Sequence, residues 1–408
     1  MEAVIEDIVI VGAGIAGLTT SLGLHRCGVR SLVLECSDSL RVTGYALTTW
    51  TNAWKALDAV GVGDILRHQH VQLNQNVTTS LITGKQTSKL SLKGTRKHGE
   101  GEVRCVRRQL MVEALANELP SGTIRFMSKI VAIEESGFFK IVHLAGGKTI
   151  KTKVLIGCDG VNSKVAKWLG FKEISFTGRY VIRGTANLTT KHGLHPVFVH
   201  FFGKGFRSGV IPCDDNTIYW FLTWTPTAEE KELMNNSAKM KQLVLSKVEK
   251  MPSEIKSLIE KTKVEDILTS PLRYRRQWEL LVGNISKGNV CVAGDAFHPM
   301  APDLGQGGCC ALEDGVVLAR CLAEAFSQKP VRHIKVMEQY KKIEAGLRKY
   351  AEQRRWRSID ISTTSYILGF VLQGDLDLVA HCRDKVFPTF LAELLLNKSD
   401  FDCGKLYS

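Results

Sequence analysis

The apolar positions of this chain first fall in an unbroken β-branched run. Residues 7–11, with Ile8, Val9, Ile10 and Val11, carry the pattern of a strand buried on both faces of a parallel sheet. A helix is predicted over 16–27, closed by Gly28 where a left-handed residue is wanted, and a second strand over 31–35. Together they make a βαβ opening. A further helix is expected over 109–119, with Leu110, Ala114 and Leu115 on one face and Pro120 beyond its end. Sheet is expected over 123–126, 138–144 and 153–156.

From about residue 178 to 224 the pattern turns aromatic. The runs 197–202 and 217–224 flank the turn signal Asp214-Asp215-Asn216, as in an antiparallel sheet. Two Lys- and Glu-rich helices follow, over 238–251 and 253–262. After residue 290 the strand–turn–helix pattern returns. A late apolar run, 366–372, is too short to span a bilayer. It reads as a buried helix or strand, with a weak peripheral membrane contact as the alternative.

Composition adds limits. Hydrophobic residues are 44% and charged residues 23%, the balance of a globular protein, and 408 residues suffice for two or three cores. The net charge of +13 is spread along the chain, and no nucleic-acid motif accompanies it, so no nucleic-acid partner is expected. The 11 cysteines form no CxxC, so no metal site is expected and a reducing compartment fits. The first strand begins almost at once, leaving no room for a signal peptide. An intracellular, cytoplasmic protein is expected, or an organellar one if a presequence precedes it.

The candidate chemistry lies in two glycine-rich loops. In Gly12-Ala13-Gly14-Ile15-Ala16-Gly17, Gly12 permits the tight turn, Gly14 lets the backbone approach a pyrophosphate, and Gly17 lets the helix pack on the strand. The helix N-terminus offers N–H groups and partial positive charge to phosphates. Glu35 ends the second strand at the spacing expected of a carboxylate on an adenosine ribose. The second loop runs from Gly294-Asp295 through Pro302, Gly305, Gln306 and Gly307. Asp295 can accept a hydrogen bond from a sugar-alcohol hydroxyl, and the helix opening at Gly307 can stabilise charge on a reduced flavin. Read together, the two loops grip one long cofactor, FAD.

These residues resemble the single-component FAD-dependent monooxygenases, a family that includes aromatic hydroxylases, FAD-dependent urate hydroxylase and zeaxanthin epoxidase. The resemblance is closest to the plant members. It rests on the Gly12–Gly17 loop, Gly157-Cys158-Asp159-Gly160, Gly294-Asp295-Ala296-Phe297-His298-Pro299 and Pro302-Asp303-Leu304-Gly305-Gln306-Gly307, and covers residues 5–325. It implies that Asp159 and Gly160 serve FAD and the nicotinamide pyrophosphate, that Arg107 (or its neighbour Arg108) reaches FAD, and that Asp295 holds the ribityl chain. Pro302 and Gly305 would lie by the isoalloxazine. Taken singly, Asp159-Gly160 also reads as an ordinary turn, and His298 as a structural side chain. Asp303 stands where many relatives have Asn, and a carboxylate there would oppose flavin reduction unless it points away. Arg41 and Gly44 loosely resemble the family's mobile-flavin region.

The resulting expectation is an α/β chain with a doubly wound Rossmann-like FAD-binding domain (1–73, 101–177 and 285–345). A mainly antiparallel substrate domain (74–100 and 178–284) is inserted in it, and 346–408 form a C-terminal helical extension. The implied activity uses NAD(P)H and O₂ to hydroxylate or epoxidise a small apolar or aromatic substrate through a flavin C4a-hydroperoxide. The flavin carries the chemistry, with no catalytic side chain required. Phe198, Phe201, Tyr219 and Phe221 are candidates for a dry pocket wall. A flavin reductase of an isoprenoid-type substrate and a non-catalytic FAD-binding sensor or scaffold stay open, as do monomer and homodimer.

Overall fold

The computed structural model describes residues 5–40, 45–326, 336–373 and 388–407. Arg41 and Gly44 lie outside the described residues. The first layer is an eight-stranded sheet. Its parallel heart places Ile5–Val11 between Leu32–Leu34 and Thr149–Gly157. Ile124–Arg125 extends one edge and Val290–Val292 the other, both parallel. The run Ile8–Val11 is wholly buried because the strand has neighbours on both edges and helices on its faces.

The consequence for function is geometric. Val11, Leu34, Gly157 and Val292 end four adjacent parallel strands on the same edge of the sheet. In open α/β sheets that edge is where ligands bind. Each motif picked out in the sequence follows one of these strand ends.

The second layer is a seven-stranded sheet built from Ser175–Asn187, Val197–Phe202, Phe206–Pro212, Thr217–Trp224 and Ile267–Tyr274, joined by Gln75–Ser80 and Gln86–Ser91. Alternation divides the aromatic residues between its two faces. Ile218, Trp220, Leu222 and Trp224 pack with Phe201 under the helices Ser237–Lys247 and Ser253–Lys261. Phe198, Tyr219 and Phe221 belong to the other core, toward the first layer.

Helix Gly307–Phe326 packs on helix Ile15–Arg26, and the 38-residue helix Val336–Gln373 crosses behind it. Residues 366–372 are therefore the end of a helix. Leu368, Gly369 and Leu372 face inward, and Tyr366, Ile367 and Phe370 face out. No helix among the described residues is long and apolar enough to cross a membrane.

Candidate active site

The first glycine loop is tight at Gly12 and open at Gly14. Gly12 has φ +102°, and a Cβ there would lie 2.4 Å from the Cys158 carbonyl oxygen. Gly14 is different: its φ of −87° suits any residue, and no protein atom lies within 4 Å of where a Cβ would be. The space in front of Gly14 is open, and no side chain caps the helix that starts at Ile15. Free N–H groups and an unfilled cradle are what a pyrophosphate requires. Gly17 closes the packing, since a Cβ there would meet the Gly12 carbonyl oxygen.

Glu35 stands beside this loop. Its carboxylate accepts the Ala13 N–H at 2.9 Å and the Ser37 N–H at 3.0 Å. Partial burial pushes its pKa up, but those N–H donors outweigh it and hold the carboxyl below its usual range. It is an anion anchored at the end of the second strand.

The two glycine motifs touch. A Cβ on Gly294 would lie 2.7 Å from the Cβ of Ala16, so the turn before Asp295 is fitted against the first helix. Asp295 makes no hydrogen bond to the protein among the described residues, and its carboxylate opens onto a cleft. That enclosed setting raises its pKa, opposed by His298 and Arg108. An anchored carboxylate lacking a protein donor, at the mouth of a cleft, fits a hydroxyl-bearing chain such as ribitol.

Beyond it, Pro302–Leu304 forms a short 3₁₀ turn, and Gly305 turns the chain with φ +63° against the Trp50 indole. The buried Gln306 side-chain oxygen accepts from Asn52 Nδ2 at 2.8 Å, which orders the start of the Gly307 helix.

Asp159 and Gly160 are placed differently. Gly160 has φ +76° and makes the turn. The Asp159 carboxylate accepts the Lys164 N–H at 2.7 Å and the Ser163 hydroxyl, so it is spent on its own turn at the start of helix Lys164–Trp168. Burial raises its pKa, and these two donors moderate the rise.

Of the two neighbouring arginines, Arg107 extends toward Asp214 of the second sheet (3.7 Å), with its guanidinium part-exposed. Arg108 lies over the Tyr45 ring at 5.8 Å, and its charge acts on Asp295. Of the two, Arg108 is the one whose charge reaches Asp295.

The cleft continues into a cavity of about 460 Å³ between the Pro302–Gly308 loop and the second sheet. Tyr219 and Phe221 line it, with Phe198. Phe201 does not. An odd–even step along Val197–Phe202 turns it into the helix-covered core, where it is 2% exposed.

The same alternation brings in His200, which stacks on Phe198 with centroids 3.8 Å apart. Period two from Phe198 was the signal for it. Burial, aided by Arg207, pushes the His200 pKa well down, so its imidazole is neutral at pH 7. Arginines that no motif marks also line the cavity, Arg183, Arg207 and Arg273. Arg183 lies 4.4 Å over the Tyr45 ring and donates to Ser270 Oγ at 2.8 Å. Arg207 lies 5.3 Å from the Phe221 ring. The buried Nε of Arg183 and of Arg207, the Trp50 Nε1 and the His200 Nδ1 have no hydrogen-bond partner among the described residues.

Asp303 does not act on the cleft as an unpaired carboxylate. Arg179 grips it with two nitrogens at 3.1 and 2.8 Å, and Arg207 Nη2 lies 3.6 Å away. The charge that would oppose flavin reduction is compensated inside the protein.

Known proteins share this family and fold. A family model described as an FAD binding domain matches residues 6–342. Monooxygenase 2 of Arabidopsis thaliana is 51% identical over 403 residues, covering 98% of both chains, and Monooxygenase 1 of the same plant is 36% identical over 405 residues, covering 98% of this chain and 99% of the other. Among solved structures, Klebsiella pneumoniae HpxO complexed with FAD and uric acid superposes with a TM-score of 0.80 at 21% identity, covering 97% of this chain and 96% of that one. The chain belongs to the FAD-binding-domain family and is an FAD-dependent monooxygenase.

Proposed function

We propose that the protein uses NAD(P)H and O₂ to add one oxygen atom to a planar, electron-rich aromatic or enolic molecule that carries an anionic or acceptor group. One observation carries this reading. The cavity beside the flavin loop is walled by Phe198, Tyr219 and Phe221, and the buried N–H groups of Trp50 Nε1, Arg183 Nε and Arg207 Nε in its lining are unsatisfied among the described residues. A buried donor without a partner costs about 1–3 kcal/mol, so a ligand with acceptors at those points gains what the protein lacks. The flat rings favour a flat ligand and keep water from the reacting centre.

FAD supplies the redox chemistry, passing one atom of O₂ to the substrate when reduced. The chain's residues hold and orient. The N–H groups around Gly14 receive the pyrophosphate, Glu35 the adenosine ribose, Asp295 the ribityl hydroxyls, and Arg108 provides a cation whose charge reaches Asp295. The start of the Gly307 helix stabilises negative charge at the flavin's far end. Asp159 and Gly160 serve by shaping the loop beside it.

The test is anaerobic flavin bleaching by NADH and by NADPH, with and without a panel of phenols, aromatic carboxylates and isoprenoids. Bleaching accelerated by planar aromatic acids or phenols supports the reading. Bleaching accelerated only by isoprenoids, with no oxygenated product after air is admitted, favours a reductase. A flavin that neither nicotinamide reduces with any panel member favours a sensor.

A further inference from the structure

At the cavity wall, three charged side chains form a buried cluster with an excess of one positive charge. Asp303, with its side chain fully buried, faces two guanidiniums, those of Arg179 and Arg207, whose side chains are 10% and 3% exposed. The two arginines share it unequally. Arg179 makes the bidentate contact and also donates to the Gly369 carbonyl at 3.4 Å, at the end of the long C-terminal helix. Arg207 is left with the Asp303 main-chain oxygen at 3.2 Å and a loose approach to the carboxylate, while its Nε has no partner among the described residues.

Of the two arginines, Arg207 lines the cavity and Arg179 does not; Asp303 also belongs to the lining, with its side chain fully buried. In a low-dielectric setting a carboxylate and a single arginine close into a bidentate pair, because an unpaired buried charge is strongly unfavourable. With Arg179 absent, Asp303 and Arg207 would neutralise each other and the cavity would lose the Arg207 cation, keeping those of Arg183 and Arg273. With Arg179 present, the excess charge appears on Arg207, at the wall.

We propose that Arg179 is a positioning residue for the substrate: by saturating Asp303 it leaves the Arg207 guanidinium to receive an anionic group of an aromatic ligand. This rests on the reading of the cavity given above. The contact to Gly369 gives the C-terminal helix a part in it, because that helix fixes one side of Arg179.

The test is calorimetric titration of benzoate, an aromatic carboxylate, into the FAD-loaded protein. Arg179→Gln is expected to bind benzoate about tenfold more weakly than wild type, the equivalent of one charge-assisted hydrogen bond. Adding Asp303→Asn to that variant removes the carboxylate that captures Arg207, and binding is expected to return to within about threefold of wild type. Lost packing alone would not be rescued in this way. Asp303→Asn by itself is expected to bind at least as tightly as wild type, and it tests the inference even if the Arg179 variant does not fold. An Arg179→Gln protein that binds within about threefold of wild type overturns the role of Arg179. So does weaker binding by Asp303→Asn, or a double variant that stays weak. If wild type itself binds neither benzoate nor salicylate, the anion-binding reading of the cavity fails, and the role of Arg179 with it.

Discussion

Arg354 donates its Nε–H to the Asp314 carboxylate at 2.6 Å, and both side chains are fully buried. Asp314 also accepts the Gly294 N–H at 2.8 Å, and His298 Nε2 lies 2.7 Å from it. The other end of the Arg354 guanidinium meets Glu313 at 2.7 Å, and Arg357 meets Glu313 at 3.0 Å. About one turn earlier on the same helix face, Tyr350 donates to the Val292 carbonyl at 3.0 Å. The long C-terminal helix thus grips the strand and turn that present Asp295, far from either glycine motif in sequence.

Arg354→Met leaves Glu313 and Asp314 without their shared cation. Breaking a buried pair from one side costs about 3–5 kcal/mol, so the FAD-loaded variant is expected to unfold at clearly lower denaturant concentration. Arg354→Lys, which restores charge without the fork, is expected to recover part of the loss. A variant as stable as wild type would show that the network contributes little.

Acid should weaken the same network. Burial pushes the Asp314 carboxyl up, but His298, Arg354 and the Gly294 N–H outweigh it and hold its pKa at about 2. An unfolded aspartate titrates near ~3.9. The folded value is the lower one, so Asp314 contributes stability fully above about pH 4 and loses it as pH falls from about 4 through 2. The contribution is on the order of 2 kcal/mol. Chemical denaturation of wild type and Asp314→Asn at several pH values checks this: the gap between them should narrow in that window.

Gly12 and Gly14 should part company. Alanine at Gly12 meets the Cys158 carbonyl in a left-handed conformation, so both stability and FAD binding are expected to fall. Alanine at Gly14 meets no protein atom, and its φ is ordinary, so stability should change by less than about 0.5 kcal/mol while FAD affinity drops. Thermal melts of the apoprotein and FAD titration separate the two effects. An unimpaired FAD affinity in Gly14→Ala would contradict the placement of the pyrophosphate there.

Asp295→Asn keeps the shape of the turn and removes its charge. FAD affinity is expected to fall about tenfold to a hundredfold, the range for one hydrogen bond to a charged acceptor. Equilibrium dialysis measures it. Glu35→Gln is expected to lose less, because its carboxylate is partly occupied by Ala13 and Ser37.

The βαβ opening and the aromatic strands were legible because local pattern determines them. The strand Thr217–Trp224 falls at residues 217–224, where alternating aromatic residues set it. The four motifs are brought together by parallel strand order, and glycine spacing revealed that much. Arg183, Arg207 and Arg354 were not legible. Each owes its place to a sheet face or helix packing chosen in three dimensions, and a lone arginine carries no local signature. Phe201 shows the same limit: only the register of its strand decides which side of the sheet a phenylalanine meets. Asp303 raised a question of charge in the sequence that the fold answers with Arg179.

The most direct measurement is isotopic. The FAD-loaded protein is supplied with NADPH or NADH and ¹⁸O₂ in the presence of the aromatic acids and phenols that accelerate flavin reduction. The account predicts a product heavier by one ¹⁸O atom, and none labelled when ¹⁸O is supplied as water instead. Consumption of O₂ that yields only hydrogen peroxide with every compound that binds would contradict it.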